Sequence, residues 1–419
     1  MTSGQLTLEL ATMSNGPDAI GRDPETGRAV FVPFAIPGET VRAEIVEEKS
    51  TFARARLLDV ITRSPDRVAP ACKHFGPDGC GGCHYQHMSY AAQLKWKRQI
   101  VIDQLIRIGG IADPLVLNTI PSPDPLHSRN HVQFSQTPDG KLGFVSNSRE
   151  ASVLPITECH IARPEIMELF GQIEIEKLDV ERIGVRVGSD GETMIVFESE
   201  SGEPPDVELE LPISVAAVNR EGEAFTMIGS DHIVHEINGR PFRVSPGSFF
   251  QVNTAQAGAL VRTVLDALSL KGGETVLDLY SGVGLFTAFI APIAARVIGV
   301  ESFSPAVHDA EANLDEFDNI ELYESPVELA LAHIADTLSH TTTRPHVLLD
   351  PPRSGCNKIV TDYLLTLAAP RIVYVSCDPA TLARDVKRLS AGGYCLVSAQ
   401  PLDMFPQTHH IETVAVFEK

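Results

Sequence analysis

The sequence predicts a multidomain protein in three parts: a small β-structured part over residues 1–63, a β-rich central domain with a metal site over 64–235, and an α/β domain over 236–419. Three observations carry this. Apolar and polar residues alternate through 41–46 and 53–60, the period-two mark of half-buried strands. Cys72, Cys80 and Cys83 crowd one Pro/Gly loop, and Cys159 follows at a distance. From about residue 240 strand patterns alternate with helical ones, which implies helical crossovers and a doubly wound sheet.

At 419 residues the chain is long enough for two or three domains, taking roughly 150 residues as one. A composition 43% apolar and 21% charged belongs to a globular protein and excludes wholesale disorder. No segment reaches the about 18 uninterrupted apolar residues of a membrane span. The best stretch, from Leu285 to Val300, is cut by Pro292 and Arg296. MTSGQLTLELATMSNG lacks the pattern of a secretory signal, so a cytoplasmic, reducing location is expected. In that compartment seven cysteines read as ligands, nucleophiles or buried thiols rather than disulfides. The net charge of −21 argues globally against a polyanionic partner, but its distribution does not. Between 171 and 223 stand 14 acids, Glu174, Glu176, Asp179, Glu208 and Glu210 among them, against four bases. Between 65 and 113 stand six bases against four acids, so a nucleic acid can be held on one side.

The elements follow in order. LTLELATM, AVFVPFAIPGE, TVRAEIVEEK and ARARLLDVITR read as strands joined by turns, forming a small sheet or barrel. An oligonucleotide-binding barrel is one option among small β-domains, with Arg42, Phe52, Arg54 and Arg56 as candidate contacts. After the cysteine loop, the segment from Ser89 onward predicts a helix ended by Gly109 and Gly110. Leu94, Ile100, Val101, Leu105 and Ile108 form its apolar face, leaving Lys95, Lys97, Arg98 and Arg107 as a solvated surface, and the helix near 88–110 is placed to pack on the α/β domain. HVQFSQ, TPDG and KLGFVS predict a hairpin, and VRVGSDGETMIVFES further antiparallel sheet. In the last domain TVLDLY, RVIGVE, IELYES, HVLLDPP, RIVYVSC, YCLVSAQ and TVAVFEK are strands. The short link from Pro401 to Glu412 makes the last two an antiparallel hairpin.

Four strand ends carry candidate chemistry. VLDLYSGVGLFT is a strand, a glycine turn at Gly282 and Gly284 and a helix start, with Thr287 where a dinucleotide fingerprint has its third glycine. Glu301 ends the next strand, where a carboxylate accepts hydrogen bonds from ribose hydroxyls. Together they imply an adenosine-bearing ligand, either a nicotinamide nucleotide or S-adenosylmethionine. Asp350 in HVLLDPP and Cys377 in RIVYVSCDP end two later strands, Cys377 at a helix N-terminus that lowers a thiol pKa. Glu412 in QTHHIETV is the candidate partner of that thiol. The Cx7CxxC spacing of Cys72, Cys80 and Cys83, with Cys159 as fourth thiol, suits zinc or an iron-sulfur cluster equally. Cys356 and Cys395 read as core thiols, and His74 and His84 as loop residues.

DLYSGVGLF, LDPPRSG, VSCDPATLARD, MFPQTHHIETV and the upstream SFFQVNTAQA, taken together, resemble the S-adenosylmethionine-dependent RNA uracil-5-methyltransferases across nearly the whole chain. The resemblance is to the TRAM-containing, iron-sulfur-bearing branch. It implies an N-terminal OB-like β-barrel of the TRAM type, a 4Fe-4S cluster (or zinc) on Cys72, Cys80, Cys83 and Cys159, and a C-terminal α/β Rossmann-like methyltransferase domain. It further implies Cys377 as nucleophile, Glu412 as base, and Gln251, Tyr280, Glu301 and Asp350 as S-adenosylmethionine positions. Tyr280 stands where many relatives have Phe, and His131 where they often carry a base, whereas Arg129 matches a basic position. Phe249 and Phe250 are candidates to stack a base. The implied product is 5-methyluridine in RNA, with 23S ribosomal RNA favoured by the cysteines over transfer RNA. No membrane or protein partner is implied, and a monomer is expected. The competing classes are a non-catalytic RNA-binding factor and an iron-sulfur oxidoreductase using a nicotinamide nucleotide.

Overall fold

A computed structural model describes residues 4–148, 151–173, 175–207, 211–338 and 344–419. Glu174, Glu208 and Glu210 of the acidic stretch lie outside them. Five strands, β1 (Gln5–Met13), β2 (Ala19–Arg22), β3 (Ala29–Val32), β4 (Thr40–Glu48) and β5 (Phe52–Thr62), close into a barrel in the order β1-β2-β3-β5-β4. Register shifts along β4 and β5 supply the bends that closure needs. Leu8, Leu10, Val30, Val32 and Val41 fill the interior, with Ala43, Ala53 and Ala55 where space is short. The three arginines expected to be free for a nucleic acid are ion-paired across the strands: Arg42 to Asp59 at 3.6 Å, Arg54 to Asp18 at 3.1 Å, and Arg56 to Glu44 at 2.5 Å. Opposite charges on neighbouring strands lie within reach of one another, which the linear sequence conceals.

Helix α1 (Tyr90–Arg107) starts where Ser89 caps the Ala92 N–H. It ends where the Ile108 and Gly109 N–H groups both reach the Gln104 carbonyl and Gly110 turns left-handed at φ 74°. Its inner face differs from the expected one. Ala92, Gln93, Lys97, Ile100, Val101 and Leu105 are buried, whereas Ile108 is exposed. Lys97 is therefore no surface charge: it is 0% exposed and paired with Asp403.

The central sheet runs β12-β11-β10-β9-β6-β7-β8. Its elements are β6 (His131–Gln136), β7 (Leu142–Val145), β8 (Val153–Pro155), helix α2 (Pro164–Phe170), β9 (Arg182–Val187), β10 (Thr193–Glu198), β11 (Ser214–Val218) and β12 (Ala224–Ile228). It is antiparallel except between β10 and β11. The long connection 199–213 lets the chain return to its starting end and run parallel. A hairpin of β13 (Ile233–Ile237) and β14 (Arg240–Val244) turns through Asn238 and Gly239, both at positive φ.

The remaining elements are α3 (Thr254–Leu268), β15 (Thr275–Leu279), α4 (Leu285–Ile290), β16 (Arg296–Glu301), α5 (Ser304–Leu314), β17 (Ile320–Glu324), α6 (Val327–Leu338), β18 (His346–Leu349), α7 (Lys358–Leu367), β19 (Arg371–Ser376), α8 (Pro379–Ala391), β20 (Cys395–Leu402) and β21 (Glu412–Glu418). They build a sheet of order β17-β16-β15-β18-β19-β21-β20. Strand order reverses between β15 and β18, which opens a crevice at the carboxyl ends of the parallel strands. Apolar residues buried on both faces, such as Leu277, Leu279, Val347, Leu349, Ile372 and Val373, make this the main core. The terminal hairpin forms, and β21 inserts between β19 and β20, antiparallel to both. The first residue of β21 is thus brought to the end of the sheet where β19 finishes. Bridges from Val116 to Ala399 and from Ile120 to Leu402 lay the segment after α1 along the free edge of β20, so that edge is covered. No helix among the described residues is long and apolar enough to cross a membrane.

Candidate active site

The crevice begins at the turn after β15. Tyr280, Gly282 and Gly284 take positive φ of 69°, 54° and 84°. A Cβ on Gly282 would meet nothing within 4 Å, so the turn opens onto free space. At Gly284 the left-handed backbone and the Leu314 side chain, 2.8 Å from where a Cβ would stand, both demand glycine. Glu301, at the end of β16, accepts from the Gly282 N–H at 3.0 Å and from the Ser302 and Phe303 N–H groups at 2.7 and 2.8 Å. Thr287, in place of a third glycine, has a task of its own: its hydroxyl donates at 2.5 Å to the fully buried Asp278 carboxylate. The other Asp278 oxygen has no partner, and burial followed by the charge of Glu301 lifts this carboxyl to about 6. Gln251 is buried on the segment before α3, where its carbonyl accepts from the Asn130 amide at 3.1 Å.

Asp350 follows β18, half-buried, with its N–H on the Leu279 carbonyl at 3.2 Å. Desolvation, then the charges of Asp278 and Glu301, raise its carboxyl to about 7. Cys377 follows β19, and Glu412, 4% exposed, opens β21 in the register that sets Thr413 opposite Ser376. Burial and the nearby charge of Asp350 push the Glu412 carboxyl well above its ordinary range. The three chemistry-bearing ends meet: Glu412 and Asp350 both act electrostatically on Cys377. The expectation of a depressed thiol pKa is corrected here. Burial, then Glu412 and Asp350, push the Cys377 thiol up to about 12, and only Arg353 pulls it down. Helix α8 offers little relief, because the Asp378 carboxylate caps its first N–H groups, accepting from Ala380 and Thr381 at 2.9 Å.

A second cavity, about 420 Å³, is lined by Cys72, Cys80, Cys83 and Cys159 together with Arg129 and Phe249. All seven cysteines are free thiols. Burial raises Cys72, Cys80 (to about 11) and Cys83 (to about 12), and the neighbouring Cys159 adds to each. Among the described residues no group of three or more His, Cys, Asp or Glu is placed to hold a metal ion. Cys356 is buried as expected, but Cys395 is exposed at the start of β20. His131 is half-buried, and burial, then Arg186, push its imidazole well below the ordinary range, which favours the uncharged form. Phe249 is 71% exposed, whereas Phe250 packs on His235 with ring centroids 5.0 Å apart.

Sequence reasoning missed the packing around the loop that leads into Glu412. Gln93 and Lys97 reach Gln407 and Asp403, more than 300 positions away in the chain. A signal existed: Gln93 and Lys97 precede Val101 and Leu105 at intervals of four, on one helix stripe.

A glycine turn with a strand-end carboxylate, at the switch point of a doubly wound sheet, is the place where such folds bind adenosine-bearing ligands, and this chain joins it to a closed five-stranded barrel. Residues 209–419 match the model of the tRNA (uracil-5-)-methyltransferase family, and 8–58 match the TRAM domain. An uncharacterized RNA methyltransferase of Streptomyces avermitilis is 34% identical over 429 residues, covering 98% of this chain and 97% of that one. Another, from Halalkalibacterium halodurans, is 34% identical over 437 residues, covering 96% and 94%. The chain is also similar to the crystal structure of Pyrococcus abyssi tRNA (uracil-54, C5)-methyltransferase in complex with S-adenosyl-L-homocysteine, at 27% identity and a TM-score of 0.73, covering 98% of this chain and 100% of that one. This chain belongs to the RNA uracil-5-methyltransferase family.

Proposed function

We propose that this protein transfers a methyl group to C5 of a uridine in RNA through a covalent adduct between Cys377 and C6 of the base. The observation that carries this reading is the convergence of Cys377, Asp350 and Glu412 at adjacent strand ends. Gln251, Tyr280, Glu301 and Asp350 are the residues that would hold S-adenosylmethionine. The open turn at Gly282 and the unpartnered Asp278 oxygen fit an adenosine ligand, and the crowd of carboxyls fits a cationic one. When bound, that cofactor supplies an electrophilic methyl group on a positively charged sulfur.

The protein does the rest. Uracil C5 is a weak nucleophile until a thiolate adds to C6. Cys377 forms the S–C6 bond, and the C5=C6 pair moves toward the O4 oxygen, making C5 electron-rich. Once C5 bears the methyl group, Glu412 accepts the C5 proton. The C5–H pair then restores C5=C6, and the C6–S pair returns to Cys377 as thiolate. Burial, then Glu412 and Asp350, raise the resting Cys377 thiol, and a positively charged ligand beside it would ease its ionisation. Phe249 offers an exposed ring to a base removed from its stack.

The four cysteines of the second cavity are the residues that would hold a 4Fe-4S cluster. All four thiols line one cavity, a donor set that suits either a cluster or zinc, and it is the resemblance to the iron-sulfur-bearing branch that favours the cluster. That quartet favours 23S ribosomal RNA, methylated in the cytoplasm. Similarity to the Pyrococcus abyssi enzyme supports transfer RNA as the second reading. Mass-spectrometric mapping of 5-methyluridine in both RNAs, from cells with and without the protein, tests them. Loss at one 23S position supports the first reading, loss in transfer RNA supports the second, and loss in neither removes both.

A further inference from the structure

We propose that Gln93 and Lys97, on α1, are positioning residues for Glu412 and govern the release half of the reaction. The inference rests on the reading of Glu412 as the base. The ladders to β20 and β19 fix the backbone of β21 from Glu412 onward, but residues 403–411, which lead into it, have no regular structure, so the path by which the chain approaches Glu412 depends on outside anchors. Helix α1 provides two. The Gln93 amide donates to Gln407 Oε1 at 2.9 Å, and its own oxygen accepts the Gln407 N–H at 3.2 Å, a two-way clasp. Lys97 Nζ donates to Asp403 Oδ1 at 2.5 Å and to the Phe405 carbonyl at 3.0 Å.

Gln407 is held on every side. Its carbonyl accepts from the His84 and Tyr85 N–H groups at 2.8 and 2.9 Å, and its side-chain amide donates to the Pro125 carbonyl at 3.2 Å. Its backbone sits at φ 65°, a conformation that a non-glycine residue keeps only when its surroundings impose it. A fully buried lysine is costly unless paired, and an apolar residue would pack in its place. The retained pair specifies where Asp403 and Phe405 lie. Cys377, by contrast, hangs from β19, which this clasp does not touch.

Loosening the clasp therefore leaves thiol addition and methyl transfer in place and slows removal of the C5 proton. In that step the proton passes to the Glu412 carboxylate, C5=C6 re-forms, and the C6–S bond breaks to return the thiolate. The test uses full-length protein, a uridine-containing RNA substrate and S-adenosylmethionine, with Gln93→Met, which keeps the side-chain volume, as the main variant. Gln407→Gly is the second; its backbone accepts the left-handed conformation, so the fold is retained. Expected are a kcat lowered about ten- to a hundredfold, a misplacement effect, an RNA KM within about threefold of wild type, and an RNA–protein adduct surviving denaturing electrophoresis. A fall in kcat without adduct, or unchanged turnover in both variants, overturns the proposal. Glu412→Gln is run alongside. If it accumulates adduct and the clasp variants do not, only the positioning role fails. If it too releases product freely, the reading of Glu412 as base fails, and the positioning role with it.

Discussion

Cys377, the proposed nucleophile, is opposed in its ionisation first by burial and then by the charges of Glu412 and Asp350. Removing one should ease the thiol. In Glu412→Gln, peptide-resolved iodoacetamide labelling at pH 8 is expected to modify Cys377 several-fold faster than in wild type; an unchanged rate would show that the carboxyl does not restrain it. Cys377→Ala should abolish methyl transfer while S-adenosylmethionine still binds by calorimetry, and undiminished turnover would end the covalent mechanism. Asp350 gives a stability signature. Its carboxyl is raised to about 7 from an ordinary value near 3.8, so its neutral form suits the fold, and stability is lost as pH rises through about 7. Asp350→Asn, which cannot ionise, should raise the melting temperature of the ligand-free protein relative to wild type by roughly 2–4 °C at pH 8, with a smaller gain at pH 5. A gain that does not grow with pH would contradict the assignment.

At the scale of elements, α1 shows how far a helix's company can override its apparent face. Periodicity identified Ile100, Val101 and Leu105 as inward-facing, and they are buried. Lys97 reads as solvated in any amphipathic plot, because the carboxylate that makes its burial tolerable stands on β20's exit, 306 positions along the chain. Burial lowers the Lys97 ammonium pKa and Asp403 pulls it back up. Lys97→Met alone leaves a buried carboxylate without its cation and is expected to cost about 3–5 kcal/mol in urea unfolding. Lys97→Met with Asp403→Leu should recover most of that loss. If the double variant is no more stable than the single one, the ion pair is not the source of the cost.

At the scale of the whole molecule, charge is arranged so that the barrel is not an open cationic surface. Arg42, Arg54 and Arg56 are paired within it, while Arg129, half-buried beside the cysteine cavity, has no ion pair among the described residues. Arg129→Ala is therefore expected to weaken RNA binding by about tenfold at low salt and to lower the salt slope by about one, in filter binding. Arg56→Ala should change both far less; the reverse ranking would place the RNA on the barrel. The strand sequence of the last domain, its glycine turn and its terminal hairpin were legible in the residues themselves. Local periodicity and turn chemistry act over a few positions. The candidate residues Asp350, Cys377 and Glu412 were legible for the same reason, since each stands beside a strand end marked by proline, helix start or hairpin link. What the linear chain alone determined was thus the type and order of elements, and which side chains stand at their ends. Only the tertiary structure decided the charge state of the Cys377 thiol, the pairing of the barrel arginines, the burial of Lys97 and the clasp on Gln407. Each depends on the desolvation and neighbouring charge that distant segments impose, and such effects act through space rather than along the chain.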